Sequence, residues 1–262
     1  MKIKENARVL KQEQLAAGIY SLRLKVSFAG DAAAGQFVSL FRRDKNTLLP
    51  RPISICRIDA DKGEITLVYR VAGGGTAEFS ALSAGDEIAV MGPLGNGFPI
   101  SEAAGKNVLL IGGGIGIPPM LACADAISAA AYPGTKITAA VGFRSADTYL
   151  LEEMREKAEV LISTDDGSLG THGTVLDAIR GSGIRPDIIF ACGPKVMLRA
   201  AAEFAAEINC PAYVSLEERM ACGVGVCLGC SADTTGTDPH SLVKKTRVCA
   251  DGPVFKASEV VL

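Results

Sequence analysis

Three cysteines within nine residues, Cys222, Cys227 and Cys230, and a fourth, Cys249, 19 positions on, constrain this chain more than any other feature. The C-x4-C-x2-C run with a distant partner is the spacing that lets one tight loop and one neighbouring strand bring four thiolates to a [2Fe–2S] centre. Gly223, Gly225 and Gly229 lie between the cysteines. Glycine there allows positive φ, so a loop can turn its amides toward sulfur. Three other uses of the same residues stay open from spacing alone: a structural zinc site, a disulfide, or thiols that only pack. Zinc sites more often pair two short knuckles.

The chain has 262 residues, enough for two ordinary domains and a small appendage. Its net charge of −2, without a lysine and arginine cluster, argues against nucleic acid or an anionic membrane as a partner. The start, MKIKENARVL, carries no secretory signal, so the cytoplasm is the expected compartment. Reducing conditions there turn eight cysteines toward metal chemistry rather than disulfides. Residues Asn107 to Ala124 form an uncharged run near the length of a membrane span. Its centre, Gly-Gly-Gly-Ile-Gly-Ile-Pro-Pro, disfavours one continuous helix and predicts strand, turn and helix. A soluble chain is expected.

Alternation at Gly18–Val26, Glu64–Arg70 and Asp86–Met91 predicts short strands, and strands without helices between them predict a small antiparallel barrel. After Asn107 the pattern becomes strand and helix in turn. Strands are expected at Val108–Ile111, Lys136–Gly142, Val160–Thr164, Ile188–Cys192 and Ala212–Leu216. Helices are expected up to Ala131, over Asp147–Lys157 and over Lys195–Glu207. This predicts a parallel sheet covered on both faces, with ligands at the carboxyl ends of its strands. The expected division is residues 1–100, 101–217 and 218–262.

Gly112, Gly113, Gly114 and Gly116 follow a strand directly, with Pro118 and Pro119 opening the next helix. Such a turn brings backbone and a helix N-terminus to phosphate, although a simple tight turn reads the same way. Cys192 and Gly193 stand at another strand end, before Pro194, where a thiol beside a nicotinamide ring competes with a small buried residue. Asp165 and Asp166 are candidates for an adenosine ribose, or for a solvated turn. In the barrel, the guanidinium of Arg51 suits a pyrophosphate and the hydroxyl of Ser54 suits a flavin ring nitrogen. Tyr69 and Arg70 precede Gly73-Gly74-Gly75-Thr76, a turn open to backbone donors. His172 and His240 have no partner pattern and receive no role, nor do Cys56, Cys123 and Cys210.

In this order the motifs resemble the ferredoxin-reductase superfamily over nearly the whole chain. Arg-Pro-Ile-Ser and Gly-Gly-Thr answer to FAD, and Gly-Gly-Gly-Ile-Gly-Ile-Pro-Pro and Cys-Gly-Pro to a pyridine nucleotide. The segment Ser215–Cys230 resembles the electron-transfer subunits of type B dihydroorotate dehydrogenases. The resemblance implies an FAD-binding β-barrel, an NAD-binding α/β domain and a C-terminal [2Fe–2S] domain. It implies flavin contacts at Arg51, Pro52, Ile53, Ser54, Val68, Tyr69, Arg70, Gly75 and Thr76, and cluster ligands at Cys222, Cys227, Cys230 and Cys249. Ile53 departs from the aromatic common in that superfamily, so Tyr69 is expected to offer a ring face instead. No side chain is expected to serve as a catalytic acid or base. The implied partner is an FMN-containing catalytic subunit that oxidises dihydroorotate in pyrimidine synthesis, in a heterotetramer of two of each. Electrons would pass through the cluster and FAD to NAD. A reductase component serving a ferredoxin, an oxygenase or a hydrogenase-type partner is the alternative, and a zinc-bearing scaffold a second one.

Overall fold

The computed structural model describes residues 2–43, 49–238 and 242–262. His240 lies outside them. The first lobe holds strands β1 (Ile3–Ala16), β2 (Ile19–Lys25), β3 (Phe37–Leu40), β4 (Arg51–Asp59) and β5 (Glu64–Arg70), helix α1 (Gly74–Phe79), and strand β6 (Glu87–Leu94). They close an antiparallel barrel in the order β1-β2-β5-β4-β3-β6, with β1 pairing back onto β6. Alternation decides which residues fill it. Ile65, Leu67 and Tyr69 of β5 point into the barrel core, whereas Val68 between them joins the apolar cluster shared with the second lobe.

The second lobe runs β7 (Asn107–Gly113), α2 (Ile117–Ala130), β8 (Lys136–Phe143), α3 (Leu151–Arg155), β9 (Glu159–Thr164), β10 (Thr171–His172), α4 (Val175–Ser182), β11 (Ile188–Cys192), α5 (Lys195–Glu207) and β12 (Ala212–Ser215). The central strands are apolar on both faces because α2 covers one side and α4 and α5 the other. The uncharged run of residues 107–124 divides into strand, a short 3-10 turn and helix, as its glycines and prolines require. No helix among the described residues is long and apolar enough to cross a membrane.

The tail adds β13 (Ser231–Asp233), β14 (Lys245–Arg247) and β15 (Val254–Lys256). Strand β15 leaves its lobe and pairs antiparallel with β12, completing a sheet in the order β10-β9-β8-β7-β11-β12-β15. The lobes are held by defined contacts. Arg57 on β4 pairs with Asp125 on α2 at 3.5 Å, and the Ala17 amide donates to Asp147 at 3.1 Å.

Two local expectations differ from what forms. The helix expected over Asp147–Lys157 contracts to α3, because the Asp147 carboxylate anchors its segment to the β1–β2 hairpin and Leu150 turns left-handed at φ 61°. Helix α4 was not anticipated, yet Thr174 caps it and exchanges hydrogen bonds with Asp177, a T-x-x-D signal visible in the sequence.

Candidate functional site

A cavity of about 820 Å³ opens where the three lobes meet, a size suited to a large organic cofactor. The barrel contributes Arg51, Pro52, Ile53, Ser54, Val68, Tyr69, Arg70, Gly73 and Thr76. Ile115, Gly116, Cys192, Gly193 and Ser215 come from the second lobe, and residues 216–220 with Pro253 from the junction and tail. Ligand binding at the strand ends of such a sheet is the expected place.

Local folding explains most of this placement. Gly75 is not in the wall but under it: a Cβ there would meet Arg51 Nε at 2.7 Å, so glycine lets α1 slide beneath the guanidinium. Arg51 Nη1 donates to the Leu49 carbonyl at 2.8 Å, which fixes the guanidinium in the cavity wall. The Thr76 hydroxyl accepts from the Ala72 and Gly73 amides at 2.8 and 3.2 Å, so it shapes the glycine turn. Arg70 is exposed at the end of β5. Ser54 follows Ile53 on β4, and Ile53 packs partly against the barrel core.

Tyr69 is placed otherwise than the sequence suggests. It is 1 % exposed, its ring stacks on Tyr20 at 6.1 Å and meets Phe79 edge-on at 6.3 Å, and its hydroxyl accepts from Gln12 at 2.7 Å. A ring engaged this way is a barrel-core element and offers no free face for stacking. Burial pushes its hydroxyl up to about 12.

In the second lobe the glycines divide. Gly112, Gly113 and Gly114 do not line the cavity, whereas Gly116 does. A Cβ on Gly116 would lie 2.1 Å from the Cys192 carbonyl oxygen, and one on Gly113 would lie 2.5 Å from Met197 Sδ. Glycine is needed at Gly116 because the two strand-end turns touch there backbone to backbone, whereas at Gly113 the neighbour is the flexible end of Met197 on α5. Gly114, left-handed at φ 50°, has nothing within 4 Å of its would-be Cβ and is the open position of the turn. Pro118 and Pro119 are the second and third residues of α2, in the first turn, where amide hydrogens have no intrahelical acceptor.

Cys192 pairs in register with Gly112 and Ser215 on its two neighbouring strands. Burial pushes its thiol up to about 12, against a hydrogen bond from Ser215 and with Glu217's charge adding to the rise. Ser215 and Glu217 line the same cavity. Both belong to the segment Ser215–Cys230, where the sequence alone gives neither a role. Asp166 is occupied by Ser168, which donates to it through its amide at 2.9 Å and its hydroxyl at 2.5 Å.

The four spaced cysteines lie in one small lobe. Six backbone amides aim at their sulfurs over 3.1–3.5 Å: Val224, Val226 and Cys227 on Cys222, Gly225 on Cys249, Gly229 on Cys227, and Cys249 on Cys230. Gly223 and Gly225 reach this arrangement through φ of +69° and +87°. Burial works to raise the Cys222 thiol, but the amides of Val224, Cys227 and Val226 and a hydrogen bond with Cys227 outweigh it and bring it to about 6. A nest of donors around sulfur favours thiolate, the form that ligates metal. All eight cysteines are free thiols. Among the described residues no three His, Cys, Asp or Glu side chains gather about one point as a single ion requires. A [2Fe–2S] centre asks for four thiolates shared over two irons, and this donor set fits it.

The lobe presses against the barrel mouth. Phe37 and Leu94 of the barrel share an apolar cluster with Cys230, Val248 and Cys249, and Met220 packs against it. Phe37 and Met220 also line the large cavity, so the cysteine lobe and the cavity share a wall. Ser39, 1 % exposed, has a hydroxyl without a partner, 3.0 Å from where a Gly223 Cβ would stand.

Barrel, nucleotide sheet and thiol lobe around one cavity define a flavin- and iron–sulfur-type electron-transfer protein of the ferredoxin-reductase fold. Residues 217–261 match the iron–sulfur cluster binding domain of dihydroorotate dehydrogenase B. The chain is 44 % identical over 260 residues to the dihydroorotate dehydrogenase B (NAD+) electron transfer subunit of Listeria monocytogenes serotype 4a (strain HCC23), covering 97 % of this chain and 98 % of that one. It is 43 % identical to the corresponding subunit of Bacillus caldolyticus, covering 99 % of each. The chain therefore belongs to the family of dihydroorotate dehydrogenase B (NAD+) electron transfer subunits, which makes it an oxidoreductase component. Among solved structures, it is similar to an NADH-dependent reduced ferredoxin-NADP oxidoreductase studied for flavin-based electron bifurcation, with TM-score 0.86, 31 % identity, and coverage of 97 % of this chain and 89 % of that one. An Amycolatopsis cytochrome P450 reductase shares the fold at TM-score 0.66 and 24 % identity, over 79 % of this chain and 66 % of that one.

Proposed function

We propose that this chain accepts electrons released by dihydroorotate oxidation on a separate FMN-containing subunit and delivers them to NAD+, using one FAD and one [2Fe–2S] cluster. When bound, a flavin exchanges a hydride with nicotinamide and single electrons with an iron–sulfur centre, and this supplies the conversion between two-electron and one-electron traffic. The observation that carries the reading is the nest of six amides around four thiols sharing a wall with the large cavity.

In this reading Arg51 and Arg70 neutralise the flavin pyrophosphate, and Pro52, Ile53, Ser54, Val68 and the backbone of Tyr69 line the ring's berth. Gly75 and Thr76 set the turn beneath Arg51. Ser54 supplies the hydroxyl that hydrogen-bonds the ring. The turn of Gly112, Gly113, Gly114 and Gly116, with Cys192 and Gly193, receives the NAD. Cys222, Cys227, Cys230 and Cys249 are the ligands. The division into residues 1–100, 101–217 and 218–262 follows these three duties, with β15 lent to the second.

The catalytic subunit docks on the cysteine lobe. Val226 and Leu228 flank the exposed Cys227 and are 80 % and 63 % exposed, an apolar rim beside the ligand loop. We assign two copies of each subunit and a cytoplasmic location, in keeping with pyrimidine synthesis. Anaerobic purification with the FMN subunit, followed by iron, sulfide and flavin analysis, tests this directly. The expected product is a stable complex with dihydroorotate:NAD+ activity, two irons and one FAD per copy of this chain. A colourless chain that shows no mass change with the partner would overturn it. The likeness to a reduced ferredoxin-NADP oxidoreductase favours one second reading, a reductase serving ferredoxin. Electron transfer to ferredoxin outpacing transfer from the FMN subunit would select it.

A further inference from the structure

One cation in the cysteine lobe is built into the hydrogen bonds that reach the ligands. Arg247, at the end of β14, donates from Nη1 to the Gly225 carbonyl at 3.2 Å. That carbonyl belongs to the same peptide unit as the Val226 amide, which donates to Cys222 Sγ at 3.3 Å. The preceding amide, of Gly225 itself, donates to Cys249 Sγ at 3.1 Å. Arg247 therefore grips the residue whose two flanking peptides serve two different ligand sulfurs. The guanidinium is itself fixed. Asp251 accepts from Nε at 2.9 Å and Nη2 at 2.8 Å, a two-point pairing, and also from the Arg247 amide at 2.9 Å. Cys249 lies in the turn this pairing closes. A Cβ on Gly225 would meet the Ala250 Cβ at 2.7 Å, so the two ligand segments touch at this point.

A cation on a peptide oxygen polarises that peptide and strengthens the hydrogen bond its amide makes on the other side. Hydrogen bonds to the sulfurs and net charge nearby both set the potential of an iron–sulfur centre. We propose that Arg247, held by Asp251, is a positioning residue that raises the cluster's reduction potential by polarising the Gly225–Val226 peptide toward Cys222 and fixing the Gly225 amide on Cys249. The redox event is uptake of one electron by the cluster, with no bond made or broken. This rests on the cluster assigned above.

The test is a dithionite titration of purified protein with redox dyes, followed by visible and EPR spectra, with iron and sulfide content measured alongside. In Arg247→Gln the equilibrium constant for cluster reduction falls about tenfold, equal to about 59 mV for a one-electron couple. Arg247→Lys, which keeps charge but loses the fork, falls less. Lys245→Gln removes an equal charge from the same strand, where Lys245 pairs with Asp233 at 2.9 Å, and stays at the wild-type potential. Fully loaded Arg247→Gln and Arg247→Lys proteins at the wild-type potential would overturn the proposal, as would an equal shift in Lys245→Gln. Loss of cluster from both arginine variants, with flavin content and melting temperature retained, supports the positioning role. Loss of cluster and flavin together would make Arg247 a folding residue and overturn it. Wild-type protein without acid-labile sulfide would instead bring down the cluster assignment itself.

Discussion

Two glycine-rich loops face the centre of this molecule, and they use glycine for different physical reasons. In the turn after β7, Gly116 is there because the Cys192 carbonyl occupies the space a side chain would take. In the cysteine loop, Gly223 and Gly225 are there because the backbone must be left-handed to aim consecutive amides at sulfur. Volume decides at Gly116 of the first loop, and handedness decides at Gly223 and joins volume at Gly225 of the second. A motif written as letters cannot tell these apart.

Substitutions separate the two demands. Gly116→Ala has the largest expected effect, since its Cβ meets a carbonyl oxygen at 2.1 Å and neither backbone segment can yield. A loss of about 3 kcal/mol or more is expected from overpacking against main chain. Thermal unfolding of the holoprotein reads it, and a wild-type melting temperature would refute the space argument. Gly225→Ala comes next: left-handed strain of about 1–2 kcal/mol joins the 2.7 Å approach to Ala250. Iron and sulfide content drop while the flavin remains. Gly114→Ala, left-handed but open, costs about 1–2 kcal/mol by the same strain and leaves the iron content untouched. Gly229→Ala is expected to be nearly silent, for its φ is not positive and its nearest neighbour is Cys227 Sγ at an ordinary 3.5 Å. If it strips iron as Gly225→Ala does, handedness is not what the loop requires.

A last expectation concerns the thiol between the loops. With its pKa pushed up to about 12 by burial, Cys192 stays protonated below that pH, and the thiolate is the reactive form. Iodoacetamide at pH 8 should leave Cys192 unmodified in the folded protein, as mass spectrometry of digests would show. Rapid labelling there would mean that the cavity wall does not hold this thiol protonated at that pH.

The sequence made the barrel legible because half-buried strands alternate, and the nucleotide sheet legible because doubly covered strands do not. The cysteines were legible because ligand spacing is local. Contacts between segments distant in the chain were hidden. Nothing in the string shows that Tyr69 spends its ring on Tyr20 and Phe79, that Gly75 underlies Arg51, or that Arg247 reaches back to Gly225. Helix α4 is a different case, since its Thr174 and Asp177 capping signal is local and present in the sequence.

Strand β15 has a practical corollary. Cutting the chain after the second lobe to obtain a minimal yellow protein would strip the outermost rung from the sheet and leave Tyr213–Ser215 with a bare hydrogen-bonding margin. Ser215 sits on that margin and on the cavity wall as well. The cysteine-bearing appendage thus doubles as a splint for the wall of the central cavity, and the two lobes cannot be trimmed apart without fraying the seam they share.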